Sequence, residues 1–184
     1  MEAVDHTSGQ LILVNGPSRG GKSRWAEHLL SQSSTVTYIA TSARRPDDMG
    51  WQKRLLLHQQ RRPEHWMLLE CEANLSAALA EVDSHSDLLI DSLGGFVAWH
   101  LEATDEQWSV LVNALLDDLS NLKRLCVVVI EETGWGVVPP TAVGGLFRDR
   151  LGALAQRLDA KAARSWLVLQ GRAIDLHAVS RPVP

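Results

Sequence analysis

The feature that most constrains the fold of this chain is an octapeptide near its N-terminus, residues 16–23, with the sequence GPSRGGKS. It fits the pattern G-x-x-x-x-G-K-[ST], follows the apolar run 11–14, and precedes a helical pattern that begins near Lys22. A strand, a glycine-rich loop and a helix in this order are typical of a loop whose backbone N–H groups surround the phosphates of a nucleotide. The helix N-terminus adds a partial positive charge at the same place. The sequence therefore predicts nucleoside triphosphate binding by Gly16, Pro17, Ser18, Arg19, Gly20, Gly21, Lys22 and Ser23.

Two side chains of this loop, and one acid farther along the chain, predict the chemistry. Lys22, expected on an exposed loop, would reach the β- and γ-phosphates, and the hydroxyl of Ser23 would bind Mg²⁺. Asp91 ends the apolar strand pattern 87–91, where phosphate-loop proteins place the carboxylate that holds this ion. The alternative is that Asp91 only caps the next helix. The metal-site prediction is Ser23 with Asp91.

Strand patterns alternate with helical patterns along the whole chain, which predicts an α/β fold: one doubly wound, mostly parallel sheet with helices on both faces, of P-loop NTPase type. Strands are expected at 11–14, 35–40, 65–71, 87–91, 125–130 and 165–170, with an edge strand at 173–179. A capping box of Thr104 and Gln107 starts a long helix with a core face of Trp108, Leu111, Ala114, Leu115 and Leu119. The helix 141–163 should turn Val143, Leu146, Phe147, Leu151, Leu154 and Leu158 inward. It should turn Arg148, Asp149, Arg150 and Arg157 outward or towards a neighbour. Residues 1–9 are expected to be a flexible lead-in, and 10–184 a single domain.

Composition narrows the class of partner. The chain has 184 residues and a formal net charge of −4, without a block of Lys or Arg, so a nucleic-acid partner is not expected. Its apolar runs are shorter than the ~20 residues of a membrane-spanning helix. Cys71 and Cys126 each lie at the end or beginning of an apolar run, which predicts two buried, reduced thiols. These observations favour a cytoplasmic enzyme that acts on small molecules.

A helical pattern after Pro46 places His58 and Arg62 on one face, and Arg61 lies next to both. A lone histidine on an exposed helix is usually an ordinary surface residue, but two neighbouring arginines favour an anion site. Thr41 and Ser42 follow the second strand pattern, where their hydroxyls would either touch the nucleotide or satisfy a strand-end turn. Both alternatives stay open from spacing alone.

Several motifs in a fixed order together resemble one family. They are the phosphate loop, YIATS at 38–42, His58 before RPEHW at 62–66, EC at 70–71, DSL at 91–93, ETGWGVVP at 132–139 and FRD at 147–149. The order resembles the bifunctional adenosylcobinamide kinase / adenosylcobinamide-phosphate guanylyltransferase family of cobalamin biosynthesis, over nearly the whole chain. The resemblance implies phosphorylation of the aminopropanol hydroxyl of adenosylcobinamide with ATP or GTP. It also implies transfer of GMP from GTP through a guanylylated histidine, which gives adenosyl-GDP-cobinamide.

The resemblance also implies roles for individual residues. His58 matches the guanylylated histidine by its position before Pro63. Nucleotide contacts are implied for the phosphate loop and for Thr41, Ser42, Ala43, Gln59, Gln60, Arg61, Arg62, Glu70 and Asp91. The family further implies a trimer. Trp99, Glu131 and Ala155 stand where the family commonly has asparagine, which leaves the nucleotide site intact and affects corrinoid or subunit contacts.

Two other functions are compatible with the phosphate loop. One is a single-step small-molecule kinase, in which His58 is a surface residue. The other is a non-enzymatic nucleotide switch, for which the D-x-x-G sequence at 91–94 is the supporting feature, although no N-K-x-D motif follows. Incubation with labelled GTP and no acceptor distinguishes the transferase, since only this enzyme labels itself covalently.

Overall fold

The computed structural model describes residues 10–183, except for the side chain of Arg54; the predicted lead-in at 1–9 lies outside the described residues. The strands are β1 Gln10–Gly16, β2 Val36–Ala40, β3 Met67–Glu70, β4 Asp87–Asp91, β5 Leu125–Glu131, β6 Arg164–Leu169 and β7 Arg172–Asp175. The helices are α1 Lys22–Leu29, α2 Met49–Arg61, α3 Leu75–Glu81, α4 Leu93–Trp99, α5 Asp105–Asn121, α6 Ala142–Asp159 and α7 Leu176–Val179. The predicted alternation of strands and helices is confirmed.

The strands form one sheet in the order β3-β2-β4-β5-β1-β6-β7, in which every neighbouring pair is parallel except β6 and β7. The continuous apolar run of β5 lies between β4 and β1, and residues 125–130 are all buried. Parallel strands covered on both faces read as continuous apolar segments for this reason. In register, Gly16 lies beside Glu131, and Ala40 lies beside Asp91. The phosphate loop and the carboxyl ends of β2, β4 and β5 therefore meet along one edge of the sheet, the edge at which the parallel strands end.

The two faces of the sheet bury separate apolar layers. One layer packs α1, through Ala26 and the C-cap residue Leu30, against alternate residues of the central strands. The other packs α3, α4, α5 and α6 against the remaining residues of the same strands. Because successive strand residues point to opposite faces, β1 contributes Ile12 to the first layer and Leu13 to the second. The edge at which these strand ends meet thus lies between two buried apolar layers.

Several sequence-based expectations about the helices are corrected. Helix α4, at Leu93–Trp99, is present in addition to the helices expected from the sequence. On α5, Ala114 is exposed, whereas Val112 and Leu116 are buried with Leu115 and Leu119. The capping box at Thr104 is confirmed, and so is the packing of Trp108 and Leu111 against the core, so only Ala114 of the predicted face is misplaced.

Helix α6 and the last strand also differ from expectation. Val143, expected in the core, is 54% exposed because it lies in the first turn of α6, beyond the rest of the packed face. Arg150 is 6% exposed; it donates to the carbonyl oxygens of His100 and Ala103 and lies over the ring of Trp108. The expected strand 173–179 stops at residue 175 and continues as α7, whose N-cap is Asp175.

Candidate nucleotide site

The phosphate loop has the backbone conformation that its glycines predict. Gly16 and Gly21 have φ of +149° and +111°, in the region that favours glycine. A Cβ atom would lie 2.2 Å from the carbonyl oxygen of Val168 at Gly16, and 2.6 Å from it at Gly20. Side chains are therefore excluded because the loop packs directly on the backbone of β6.

Lys22 is buried, with 8% of its surface exposed, at the first position of α1. The expectation that it lies on an exposed loop is wrong, because residue 22 belongs to α1 and its side chain turns back towards the loop. Its Nζ donates to the carbonyl oxygen of Pro17 at 2.9 Å, across the loop. This places the ammonium group at the concave side of the loop, among the backbone N–H groups that would surround a phosphate.

One carboxylate oxygen, Oδ2 of Asp91, organises the edge of the sheet. It accepts hydrogen bonds from Ser23 Oγ at 3.1 Å and from the hydroxyl of Tyr38 at 2.9 Å. Burial, together with the neighbouring Asp91 charge, raises the pKa of Tyr38 well above its ordinary value, so the phenol stays protonated and donates. Tyr38 is the single tyrosine of the chain, and its part in the site was not recognised from the sequence.

The oxygens of Ser23 and Asp91 suit a hard cation. Among the described residues there is no group of three or more His, Cys, Asp or Glu side chains that could hold a metal ion. A Mg²⁺ ion on a nucleotide needs only one or two protein oxygens, because phosphates and waters complete its coordination. The pair Ser23 and Asp91, which lie within hydrogen-bonding distance, fits that requirement.

Helix α4 is capped by an acid from another strand, and that acid is not Asp91. The N-cap residue Ser92 makes no side-chain capping bond to its own helix. Instead, Glu131 at the end of β5 accepts from Gly94 N at 3.0 Å and from the hydroxyl of Ser92. The carboxylate of Asp91 is directed to Ser23 and Tyr38 instead, which favours its predicted metal role over the capping alternative.

Helix α2 brings the predicted nucleophile to this carboxylate. His58 Nδ1 lies 3.8 Å from Asp91 Oδ2, and the imidazole side chain is 25% exposed. The end of the helix is held at two points. Arg61 pairs with both carboxylate oxygens of Glu27 on α1, at 3.1 and 3.2 Å, and the Arg62 guanidinium lies 3.9 Å from the ring centroid of Tyr38. Thus the helix C-terminus lies over the phosphate-loop edge.

The other predicted contact residues surround this centre at different depths. Thr41 is fully buried, and its hydroxyl accepts from the backbone N–H of Ser92, just after the end of β4, at 3.2 Å, which is a contact between two strand ends and not a turn of its own segment. Ser42 and Ala43 are half-buried, and Gln59 and Gln60 are exposed beside His58. Glu70, at the end of β3, forms an ion pair with Arg44. The nucleotide contacts implied for these residues remain predictions.

Comparison with known proteins gives a consistent result. A family model described as cobinamide kinase / cobinamide phosphate guanyltransferase matches residues 12–176. The chain is 32% identical over 176 residues to the bifunctional adenosylcobalamin biosynthesis protein CobU of Escherichia coli, covering 88% of this chain and 96% of that protein. It is 35% identical over 162 residues to the bifunctional adenosylcobalamin biosynthesis protein CobP of Pseudomonas aeruginosa, covering 86% and 92% respectively.

Solved structures support the fold independently of sequence. An ATPase from the type III secretion system of pathogenic bacteria superposes with a TM-score of 0.60 at 9% identity, covering 95% of this chain and 59% of that one. At this identity the likeness concerns the fold alone, and it agrees with the predicted P-loop NTPase type. Within residues 10–183, no helix has the length and apolar character needed to cross a membrane.

Proposed function

Because this chain belongs to the cobinamide kinase / cobinamide phosphate guanyltransferase family, we propose that it is a bifunctional enzyme of cobalamin biosynthesis that phosphorylates adenosylcobinamide and then guanylylates the product. The observation that carries the proposal is the convergence on Asp91 Oδ2 of Ser23, from the phosphate loop, and His58, from α2. The single-step kinase and the nucleotide switch leave the position of His58 unexplained. The family match does not favour either of them.

In the kinase step, the phosphate loop and Lys22 hold the triphosphate of ATP or GTP. The acceptor hydroxyl oxygen bonds to the γ-phosphorus, the bond from that phosphorus to the β,γ-bridging oxygen breaks, and the hydroxyl proton passes to water. Ser23 and Asp91 would hold Mg²⁺, which offsets charge on the phosphates when bound. The side chains mainly position the reactants and stabilise charge.

In the transferase step, His58 is the nucleophile. Its Nδ1 faces Asp91, so the carboxylate favours the tautomer protonated on that nitrogen and leaves the lone pair on Nε2. Nε2 then bonds to the α-phosphorus of GTP, and pyrophosphate leaves. A phosphate oxygen of the phosphorylated corrinoid next attacks the same phosphorus, which breaks the bond to nitrogen and restores the neutral imidazole.

The decisive experiment replaces the nucleophile. Wild-type protein incubated with GTP and Mg²⁺, without acceptor, should gain the mass of one GMP unit, and His58→Ala should not. Cobinamide phosphorylation should persist in the variant, because that step needs Lys22 and no nucleophilic side chain. The adduct should be labile in acid and stable in base, as a phosphoramidate is.

The matched control is His65→Ala, which removes a histidine just beyond α2 and should leave the adduct intact. An adduct that persists in His58→Ala would refute the residue assignment. A wild-type protein that never forms an adduct would refute the transferase half of the function.

We also propose a homotrimer in the cytoplasm. The trimer is supported by resemblance to the family, and the location by the use of ATP and GTP as substrates. Light scattering on the purified protein measures its molar mass and so tests the trimer.

A further inference from the structure

A cavity opens beside the phosphate loop, on the face of the sheet covered by α6. It is lined by Asn15 of β1, residues 130–134 from the end of β5 and the following loop, and α6 residues between 148 and 156. Its volume is about 390 Å³. We call it the acceptor cleft. Cavities of roughly 300–1,000 Å³ are the size class that holds small ligands or one arm of a larger ligand.

The acceptor cleft adjoins the phosphate site through the backbone. Asn15 immediately precedes Gly16, the first residue of the phosphate loop. The backbone N–H of Glu132 donates to the carbonyl oxygen of Gly16 at 2.8 Å, so the floor of the cleft is hydrogen-bonded to the start of the loop. A group bound in the cleft would therefore lie next to the phosphates held by the loop.

The lining of the acceptor cleft selects against a second nucleotide. Its ionisable side chains are the three carboxylates of Glu131, Glu132 and Asp149 and the single guanidinium of Arg148. A polyphosphate placed there would meet mostly like charge, which disfavours it. A neutral ligand rich in hydrogen-bond donors would meet carboxylate acceptors.

One residue of the cleft lining, Asn15, carries a buried acceptor that lacks a donor from the described part of the chain. Among the described residues, Asn15 Oδ1 has no hydrogen-bond partner, although this atom is buried. A buried carbonyl oxygen without a donor costs about 1–3 kcal/mol, so a rotation of the Asn15 side chain that brings this oxygen to a donor bound in the cleft would be favourable. A hydroxyl or a carboxamide N–H₂ is the group that would satisfy it.

We propose that the acceptor cleft binds the amide-linked aminopropanol arm of the corrinoid during phosphorylation, with Asn15 and Glu132 accepting hydrogen bonds from its hydroxyl and amide groups. This inference rests on the proposed function, because that function supplies a neutral acceptor with both kinds of donor. The cleft holds the arm next to the phosphate loop, and the larger macrocycle stays outside.

A larger side chain on α6 can be used to fill the cleft. Gly152 lines it, and a Cβ atom built there meets nothing within 4 Å. Gly145 lies two turns earlier on the same helix, outside the cleft, and its Cβ also meets nothing within 4 Å. Replacing either glycine by leucine raises helix propensity, so both variants should fold. Gly152→Leu is therefore the test, and Gly145→Leu the matched control.

The experiment measures cobinamide phosphorylation and acceptor-free guanylylation of His58 in the same preparations. Gly152→Leu should raise the KM for adenosylcobinamide about tenfold or more, which corresponds to losing about 1.4 kcal/mol of binding. The KM for ATP and the yield of the GMP adduct should not change. Gly145→Leu should match wild type in all three. Ala153→Leu, which also points a larger side chain at the cleft lining, should repeat the effect of Gly152→Leu.

The outcomes separate this inference from the proposed function. Unchanged KM for adenosylcobinamide in both Gly152→Leu and Ala153→Leu overturns the cleft assignment and leaves the function standing. A change of oligomeric state in these variants without a change in that KM shows that the cleft receives another copy of the chain, and also overturns it. Wild-type protein that phosphorylates no cobinamide overturns both.

Discussion

At the scale of single residues, the site depends on the carboxylate of Asp91, which contacts two hydroxyl donors and one imidazole. Asp91 Oδ2 accepts from Ser23 and Tyr38, and His58 Nδ1 lies 3.8 Å away. Under the proposed function, the same charge would hold Mg²⁺ with Ser23 and orient the imidazole of His58. Both proposed steps therefore depend on Asp91, whereas only the transfer step depends on His58.

Replacing Asp91 by Asn should lower the rate of both steps, because the amide keeps the hydrogen-bonding shape but loses the charge that holds the metal ion. Excess Mg²⁺ should restore part of the kinase rate, since the site is weakened and not removed. The measurement is initial rate against Mg²⁺ concentration. Asp117→Asn, an exposed substitution on α5, is the control. Wild-type metal dependence in Asp91→Asn would remove Asp91 from the metal site.

At the scale of elements, the position of α2 decides whether His58 reaches the phosphate site. The helix packs little apolar surface, since Leu55, Leu56 and Leu57 are 37%, 52% and 50% exposed. Its end is held by the Arg61–Glu27 pair and by Arg62 over the ring of Tyr38. Since few apolar contacts support it, the helix is a low-stability element whose docking depends on these two contacts.

Glu27→Ala should slow formation of the GMP adduct about two- to fivefold, because a partly exposed pair of this kind contributes about 0.5–1 kcal/mol. Arg61→Ala should do the same. The melting temperature should hardly change, since the pair closes one helix end and lies outside the core. The double variant Glu27→Arg with Arg61→Glu should recover part of the rate.

This series also tests the nucleotide contact implied for Arg61. If Arg61 acts by touching GTP directly, Glu27→Ala should leave the adduct rate unchanged, and the exchanged pair should not recover it. Equal effects of the two single variants instead identify docking of α2 as the cause.

At the scale of the whole molecule, the central strands form the most protected part of the fold. Cys126 in β5 is 1% exposed, and Cys71 beyond β3 is half-buried. Both cysteines are free, as the sequence predicts, but only Cys126 is fully buried. Burial raises the pKa of Cys71 to about 11 and that of Cys126 to about 12.

Thiol labelling should therefore distinguish a cysteine that reacts in the folded protein, Cys71, from one that reacts only after unfolding, Cys126. Only the thiolate reacts, so the labelling rate of Cys71 at pH 8 should be low and should rise with pH up to its pKa of about 11. Cys126 should react only through global unfolding, and its rate in urea should follow the unfolding equilibrium. Iodoacetamide labelling followed by mass spectrometry measures both, with Cys71→Ser as the control that isolates Cys126. Native-state labelling of Cys126 as fast as that of Cys71 would contradict the assignment of β5 to the core.

The sequence by itself determined the elements whose signals are local. The phosphate loop, the continuous apolar run of β5 and the capping box at Thr104 were all predicted, because spacing within a few residues decides each of them. The parallel sheet then followed from the alternation of strands and helices, and with it the meeting of strand ends at one edge.

Only the tertiary structure decided which polar groups pair. Tyr38 and Asp91 are 53 residues apart, Glu131 caps α4 from a different strand, and Arg150 is buried because backbone carbonyls of the segment before α5 accept its hydrogen bonds. A helical pattern shows which residues share a face, but a buried charge is stable only where distant acceptors converge on it. Hence the burial of Arg150 could not be predicted from spacing, and the 3.8 Å approach of His58 to Asp91 depends on contacts between α2, α1 and β2 that are distant in the sequence.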